Sequence, residues 1–291
     1  MVMKRTILLT GATGTVSSSL LEALKAAGSP VHLRALARSE ASATKLRASG
    51  IDVVLGDLEE PESLPRAFEG ADDLWLLHPP GPRAPENSMN AVWAARRSGV
   101  KRIVRMSAIG AAHDAPTRNG RLHALSDAEL QASGLRWTIL RPHFFMQNLL
   151  GLAPVVASQG VLPFPLGDGK LGLVDVRDIA DVAAAVLLDE TSRHDGKIYT
   201  PTGPESISMK AVAEALAGHL GRSVQYVPLS EEAAREGFLG AGFSPWLAGM
   251  TVEYGVAYAS GWGDFTTTHV KDVAGHEARS FATFAREQWP R

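Results

Sequence analysis

Short runs of apolar and β-branched residues alternate with longer stretches in which apolar positions recur every three or four residues, and this alternation fills the first half of the chain. The short runs predict strands at Thr6–Thr10, Val31–Leu36, Ile51–Leu55, Asp73–Leu77, Ile103–Ser107 and Trp137–Arg141. The periodic stretches predict helices at Val16–Ala27, Ala41–Ala48, Pro61–Phe68, Ala84–Ser98 and Leu122–Ser133. The strands are apolar throughout instead of alternating, which suits a parallel sheet covered on both faces. Strand–helix alternation at this spacing implies βαβ units, so the fold class is α/β with a doubly wound parallel sheet. Gly28, Gly50, Gly70, Gly99 and Gly134 each follow a helical stretch, where a left-handed cap is cheap only for glycine.

Beyond Pro142 the pattern changes. A short helix is expected at His143–Leu150, a loop-rich stretch from Pro154 to Gly172, an apolar helix at Arg177–Leu188 and a strand at Lys197–Thr200. A helix at Met209–Leu220, a strand at Ser223–Val227 and helical segments near Glu231–Gly237, Pro245–Ala259 and His276–Glu287 complete the chain. The expected division is a dinucleotide-binding Rossmann unit over residues 1–152, with 172–200 returning to it. A smaller C-terminal α/β cap over 153–171 and 201–291 would hold the substrate at the sheet's C-terminal edge, where open α/β sheets bind ligands.

Composition narrows the chemistry. The 291 residues include no cysteine, which removes disulfides, cysteine zinc sites, iron–sulfur clusters and a cysteine nucleophile. A net charge of −2 argues against nucleic acid as the main partner. No apolar run approaches the ~18 residues of a membrane span, and the opening stretch before Gly11 is too short for a signal segment. A cytoplasmic protein is expected. The nine histidines show no metal-ligand spacing, and Gly-x-Ser-x-Gly is missing, so neither a metal nor a nucleophile-elbow hydrolase is expected. Charge is uneven locally: residues 1–50 carry seven Lys/Arg against two Asp/Glu, which suits a phosphate ligand or simply a solvated surface.

The sharpest motif is Thr10-Gly11-Ala12-Thr13-Gly14-Thr15-Val16-Ser17, running from the first strand into a helix. Gly11 permits the tight turn and Gly14 lets backbone N–H groups approach a pyrophosphate at the helix's positive end. Thr10, Thr13, Thr15 and Val16 are candidate cofactor contacts with them. Ser17 stands where a third glycine would allow close packing, so a wider helix–strand contact is expected. After the second strand no carboxylate appears until Glu40. Arg38 could meet a 2′-phosphate with Ser39 adding a hydroxyl, which favours NADP(H); Arg34 or Lys45 are alternatives for the phosphate. Asp57, followed by Leu58, could accept from an adenine amine or merely cap a turn. His78 to Gly81 would run beside ribose and nicotinamide or only shape a turn.

Taken with Ile103–Ser107, Ser133–Pro142, Phe144–Asn148, Val174–Val182 and Gly203-Pro204-Glu205, these residues resemble the NmrA-like atypical short-chain dehydrogenases/reductases along nearly the whole chain. The resemblance implies a Rossmann fold binding NADP(H). It is less specific for activity, because the family includes quinone reductases, dye reductases, plant phenylpropanoid reductases and NADPH-sensing regulators.

None of Tyr199, Tyr226, Tyr254 and Tyr258 has a lysine four residues on, so the usual Tyr-x-x-x-Lys proton relay is absent. Counted back from the Ser133-Gly134 turn, His123 falls at the position where the plant phenylpropanoid reductases that this chain resembles carry their catalytic lysine, which makes it a candidate acid and cofactor neighbour. Asp127, at i+4, could orient the ring and raise its basicity, or the two could be a surface pair. Ser107 is a candidate for cofactor ribose or substrate, or a structural cap. Pro142 and Phe144 resemble the stretch that brackets the nicotinamide. His143, Phe144, Phe145 and Met146 form a candidate substrate wall, with His143 alternatively a second acid and the others alternatively core.

The expected function is an NADPH-dependent reductase of a small conjugated, apolar electrophile: a quinone, enone, imine or aryl ketone. A non-catalytic NADP(H)-sensing regulator and a cofactor-bound isomerase or cyclase are the alternatives. The expected partner is a small aromatic or conjugated molecule, on a monomer or homodimer.

Overall fold

The computed structural model describes residues 4–290; Met1 to Met3, part of the opening stretch weighed as a signal segment, and Arg291 lie outside the described residues. Eleven strands occur among these residues: β1 Thr6–Leu9, β2 His32–Ala37, β3 Asp52–Leu55, β4 Asp73–Leu76, β5 Arg102–Met106, β6 Arg136–Leu140, β7 Val161–Phe164, β8 Lys170–Leu171, β9 Lys197–Tyr199, β10 Ile207–Ser208 and β11 Gln225–Pro228. The helices are α1 Thr15–Ala26, α2 Glu40–Ala48, α3 Leu64–Phe68, α4 Ala84–Ser98, α5 Arg118–Ala132 and α6 Ala153–Gln159, followed by α7 Val176–Leu188, α8 Met209–Leu220, α9 Glu231–Gly240, α10 Pro245–Ala259, α11 His269–Ala274 and α12 Phe281–Gln288.

Seven strands form one parallel sheet in the order β3-β2-β1-β4-β5-β6-β9. The order reverses between β1 and β4, which opens a crevice beyond their carboxyl ends. One face is covered by α1, α2, α7 and α11, with Leu20, Leu24, Ile179, Ala183 and Val270 packed against Ile7, Leu9 and Trp75. The other is covered by α3, α4 and α5, with Phe68, Ala91, Ala95 and Leu130 against Leu8, Leu74 and Ile103. Burial on both faces is what the continuous apolar strands require. All five glycines expected to cap helices have positive φ, between 62° and 78°.

The sheet also buries charge. Arg102 pairs with Asp73 at 2.8 Å and spends its other donors on the carbonyls of Val186, Leu187 and Asp189, satisfying the C-terminal end of α7. A third core, built from Leu162, Phe164, Leu171, Leu216, Tyr258, Phe281 and Phe284, lies in the C-terminal region. Two small sheets brace it, β7 parallel to β11 and β8 antiparallel to β10.

Several expectations are corrected. The stretch from Pro154 to Gly172 is not mainly loop: Pro154 sits in the first turn of α6, Gly160 caps it at φ 68°, and Pro163 lies in the two-stranded β7–β11 pair, an edge position proline tolerates. Instead of a helix at His143–Leu150 there is a 3₁₀ segment, Met146–Leu152. The helix expected over His276–Glu287 begins only at Phe281. Residues 269–274, assigned to the cap, form α11 and pack with Val270 in the sheet-side core.

Candidate active site

The turn after β1 is held by backbone geometry. Gly11 has φ +61°, and a Cβ there would meet the Leu77 carbonyl oxygen at 3.0 Å. At Gly14, the N-cap of α1, a Cβ would meet the Gly11 carbonyl at 3.2 Å. These two positions keep the chain close to the surface on which a ligand would lie, with free N–H groups of the first helical turn aimed at it. The cleft they floor measures about 660 Å³ and is also walled by Thr13, Thr15, Val16, Arg38, Ser42, Asp57, Leu58, His78 to Arg83, Asn87, Phe145, Gln147 and Asn148.

Ser17 does more than fill the third glycine position. Its hydroxyl donates to the Thr10 carbonyl at 3.1 Å and accepts from Trp75 Nε1 at 2.9 Å, tying α1 to β1 and β4 through one buried atom. Thr10 lines the cleft, and its buried hydroxyl donates to the Leu77 carbonyl at 2.7 Å and accepts from the Leu77 N–H at 2.8 Å. It pins the two central strands at the crevice.

Arg38 follows β2 directly, is exposed, lines the cleft and has no ion-pair partner among the described residues. Its rivals are engaged or distant: Arg34 donates to Asp52 at 2.9 Å and to the Glu69 carbonyl at 2.7 Å, and Lys45 lies outside the cleft lining. Glu40, the first carboxylate after β2, pairs with Arg47 at 2.9 Å. Ser39 caps α2 by accepting from the Ser42 N–H, so Ser42 is the hydroxyl on the cleft wall. Asp57 both lines the cleft and caps its turn, accepting the Glu59 N–H at 3.0 Å on one oxygen. Asn87, missed in the sequence, is buried in the wall with its Oδ1 unpartnered among the described residues. An orphaned acceptor, a free guanidinium and a glycine cradle together suit a phosphorylated dinucleotide.

Beside β5 and on α5, the expected His123–Asp127 pair is replaced by a larger cluster. Asp127 is buried and accepts from Arg105 on β5, from Ser107 at 2.8 Å, and from Arg141 Nε and Nη2 at 3.0 and 2.9 Å. Arg105 also donates to His123 Nδ1 at 3.1 Å. Asp127 therefore does not orient His123 directly; the guanidinium of Arg105 stands between them. The consequence for basicity is opposite to that expected, because burial and the positive charge of Arg105 hold the His123 pKa well below 6.5. A neutral ring whose Nδ1 accepts carries its proton on Nε2, leaving an N–H donor.

The Ser107 hydroxyl donates its proton to Asp127 at 2.8 Å inside the fold. His143 is buried with both nitrogens used, Nδ1 accepting the Phe144 N–H at 2.8 Å and Nε2 donating to the Gly263 carbonyl at 2.9 Å. Burial lowers its pKa to about 4, and it stacks on Tyr258, so it is neither an acid nor an open wall. His78 is neutral for the same reason, its pKa lowered to about 4, with Nδ1–H on the Pro79 carbonyl and Nε2 accepting from Ser88.

The candidate wall Phe144-Phe145-Met146 splits three ways. Phe144 packs edge-on to Phe164 and Tyr258, Phe145 lines the nucleotide cleft, and Met146 is buried in the C-terminal core. Pro142 is buried outside the cleft lining, its carbonyl accepting from Ile109 N–H. Gln147, also missed, accepts the Val176 N–H at 3.0 Å and donates to Asp175, joining the cleft to the start of α7.

The model of the NmrA-like family matches residues 3–256. The chain is 38% identical over 284 residues to an NAD(P)H azoreductase from Xenophilus azovorans, covering 96% of each chain. It is 33% identical over 285 residues to a (4-alkanoyl-5-oxo-2,5-dihydrofuran-3-yl)methyl phosphate reductase from Streptomyces griseus subsp. griseus, covering 97% of each. Among solved structures, the NADPH-dependent quinone oxidoreductase of Escherichia coli complexed with NADPH superposes with a TM-score of 0.87 at 28% identity, over 96% of this chain and 98% of that one.

Proposed function

Because the chain belongs to the NmrA-like family, we propose that it reduces small conjugated, apolar electrophiles, quinones and enones foremost, with NADPH. It is an NAD(P)H-dependent oxidoreductase, as the relatives' activities imply. The observation that carries the preference for NADPH is Arg38, unpaired at the end of β2 while Glu40 is turned to Arg47.

Bound reduced nicotinamide supplies a hydride. Gly11, Gly14 and the first turn of α1 would hold the pyrophosphate, Arg38 and Ser42 the 2′-phosphate, and Asp57 and Asn87 the adenosine end. Without a Tyr-x-x-x-Lys pair, the chain offers His123 Nε2–H as a hydrogen-bond donor to a substrate oxygen. Conjugated acceptors need no proton in the hydride step, so a neutral donor suffices and alignment does most of the catalysis.

Steady NADPH consumption with a panel of quinones, enones and azo dyes tests this. A flat trace across the panel, with NADPH binding demonstrated by fluorescence, would overturn it in favour of a nucleotide sensor. Two variants refine the roles. Arg38→Ala is expected to weaken NADPH binding about 10²-fold while leaving NADH within about twofold, since only the former carries the 2′-phosphate; equal losses in a titration of both would refute the contact. His123→Ala is expected to lower kcat about 10²-fold with NADPH affinity retained, and His123→Gln to recover part of it. The wild-type kcat should show no titration centred near pH 6.5, because burial and the charge of Arg105 hold the His123 pKa well below that value; a titration centred near 6.5 would show that His123 acts as a charged acid.

A further inference from the structure

The cluster beneath His123 holds more positive charge than it needs for its own balance. One carboxylate, Asp127, is shared by two guanidiniums, Arg105 and Arg141, and by the Ser107 hydroxyl. One formal positive charge remains. The other ionisable groups facing it are His78, from the loop after β4, and His123, from α5, both neutral. The next charged pair along α5 and α10, Arg118 with Glu253 at 2.7 Å, cancels itself. Arg105 is wholly buried, and its Nε has no partner among the described residues. Its Nη2 is 3.1 Å from His123 Nδ1, and no described residue takes the proton on Nε2. A charge buried at low dielectric and hydrogen-bonded to a ring whose Nε2–H no described residue takes is an arrangement for stabilising negative charge beyond that N–H.

We propose that this two-arginine, one-aspartate cluster, acting through His123, selects acceptors that become anionic on reduction, neutral quinones and enones, over cationic acceptors such as iminium ions and triarylmethyl dyes. The inference rests on the reductase reading and narrows its substrate class. With a quinone, hydride from the reduced nicotinamide bonds to one carbonyl oxygen as O–H while the displaced π pairs shift through the ring, leaving the other oxygen as an arenolate, which water then protonates. With an enone, the new bond is at the β-carbon and the pair settles on the enolate oxygen, protonated later at carbon. A cationic acceptor is neutralised by the hydride and gains nothing from a positive cluster. His123 touches the substrate oxygen; Arg105 and Arg141 are positioning residues that act through it.

Arg141 is the residue to change, because its side chain is 22% exposed and its loss leaves Arg105 and Asp127 as a balanced pair. The experiment compares a neutral naphthoquinone with a cationic triarylmethane dye, using wild type, Arg141→Gln and Arg141→Lys. The wild type should favour the quinone in kcat/KM. That ratio should fall about tenfold in Arg141→Gln, less than the loss of a direct donor costs, and return in Arg141→Lys. A second readout needs no turnover: 4-nitrophenol titrated in visible light with the wild-type protein should ionise at lower pH than when free, and the shift should vanish in Arg141→Gln. A ratio unchanged across the three proteins, a wild-type preference for the cation, or a phenol that binds neutral or not at all overturns the inference. If NADPH binds but neither acceptor is reduced, the reductase reading fails, while the phenol titration still decides whether the cluster favours an anion.

Discussion

Replacing Asp127 by alanine is expected to lower the unfolding free energy by about 3–5 kcal/mol, a drop in Tm of roughly 10 °C, because it leaves two guanidiniums facing each other with no counter-charge. Arg105 cannot escape to water, being fully buried, whereas Arg141 is partly exposed and can turn outward. The cost should therefore concentrate on Arg105. Asp127→Asn keeps an acceptor and the side-chain volume but not the charge, and should fall between alanine and wild type. Urea unfolding at neutral pH measures all three, and an alanine variant within about 1 kcal/mol of wild type would show that the cluster does not hold the fold together.

Acid is expected to destabilise the protein well above the carboxylate range. His78 and His143 have pKa values lowered to about 4, against an ordinary value of 6.5. Between these limits the unfolded chain binds protons that the folded one refuses. Stability is then complete above about pH 7 and is lost as pH falls through 6.5 toward 4, by about 3 kcal/mol per pH unit for the two rings together. His123, lowered by burial and by Arg105, adds loss of the same sign. The carboxylates held low by arginine or lysine partners, among them Asp52, Asp72 and Asp175, titrate beneath this window. Urea midpoints at about pH 7.5, 6 and 5 should decline steadily; a level series would mean that the rings take up protons while folded.

Much of this was legible in the residues, and for definable reasons. The nucleotide end depends on neighbours in sequence: Gly11 and Gly14 sit three apart on one turn, and Arg38 follows its strand directly. Local rules apply to both. The cluster around His123 depends on contacts between residues 14 to 22 positions apart, Asp127 with Arg141, Ser107 and Arg105. Helical spacing correctly put His123 and Asp127 on one face, but an arginine from a strand beneath that face separated them. Arg105 was visible as a charge inside an otherwise apolar strand, and a buried charge must have a partner. His143 was harder, since its second partner, the Gly263 carbonyl, lies 120 residues away. The prolines and glycines between Pro154 and Gly172 suggested loop because each was weighed alone, whereas Pro154 starts a helix, Gly160 ends it and Pro163 sits on a narrow sheet.

The chain crosses between sheet and C-terminal region several times: β7 and β8 precede the return to β9, and β10 and β11 follow it before α11 goes back to the sheet side. Each brace joins segments from both excursions, β7 with β11 and β8 with β10. A chimaera that borrows a relative's substrate region through a single splice point would therefore pair half of one brace with a foreign half. Exchanging specificity between relatives calls for at least two coordinated splices, flanking the α7–β9 passage, or for changes confined to side chains.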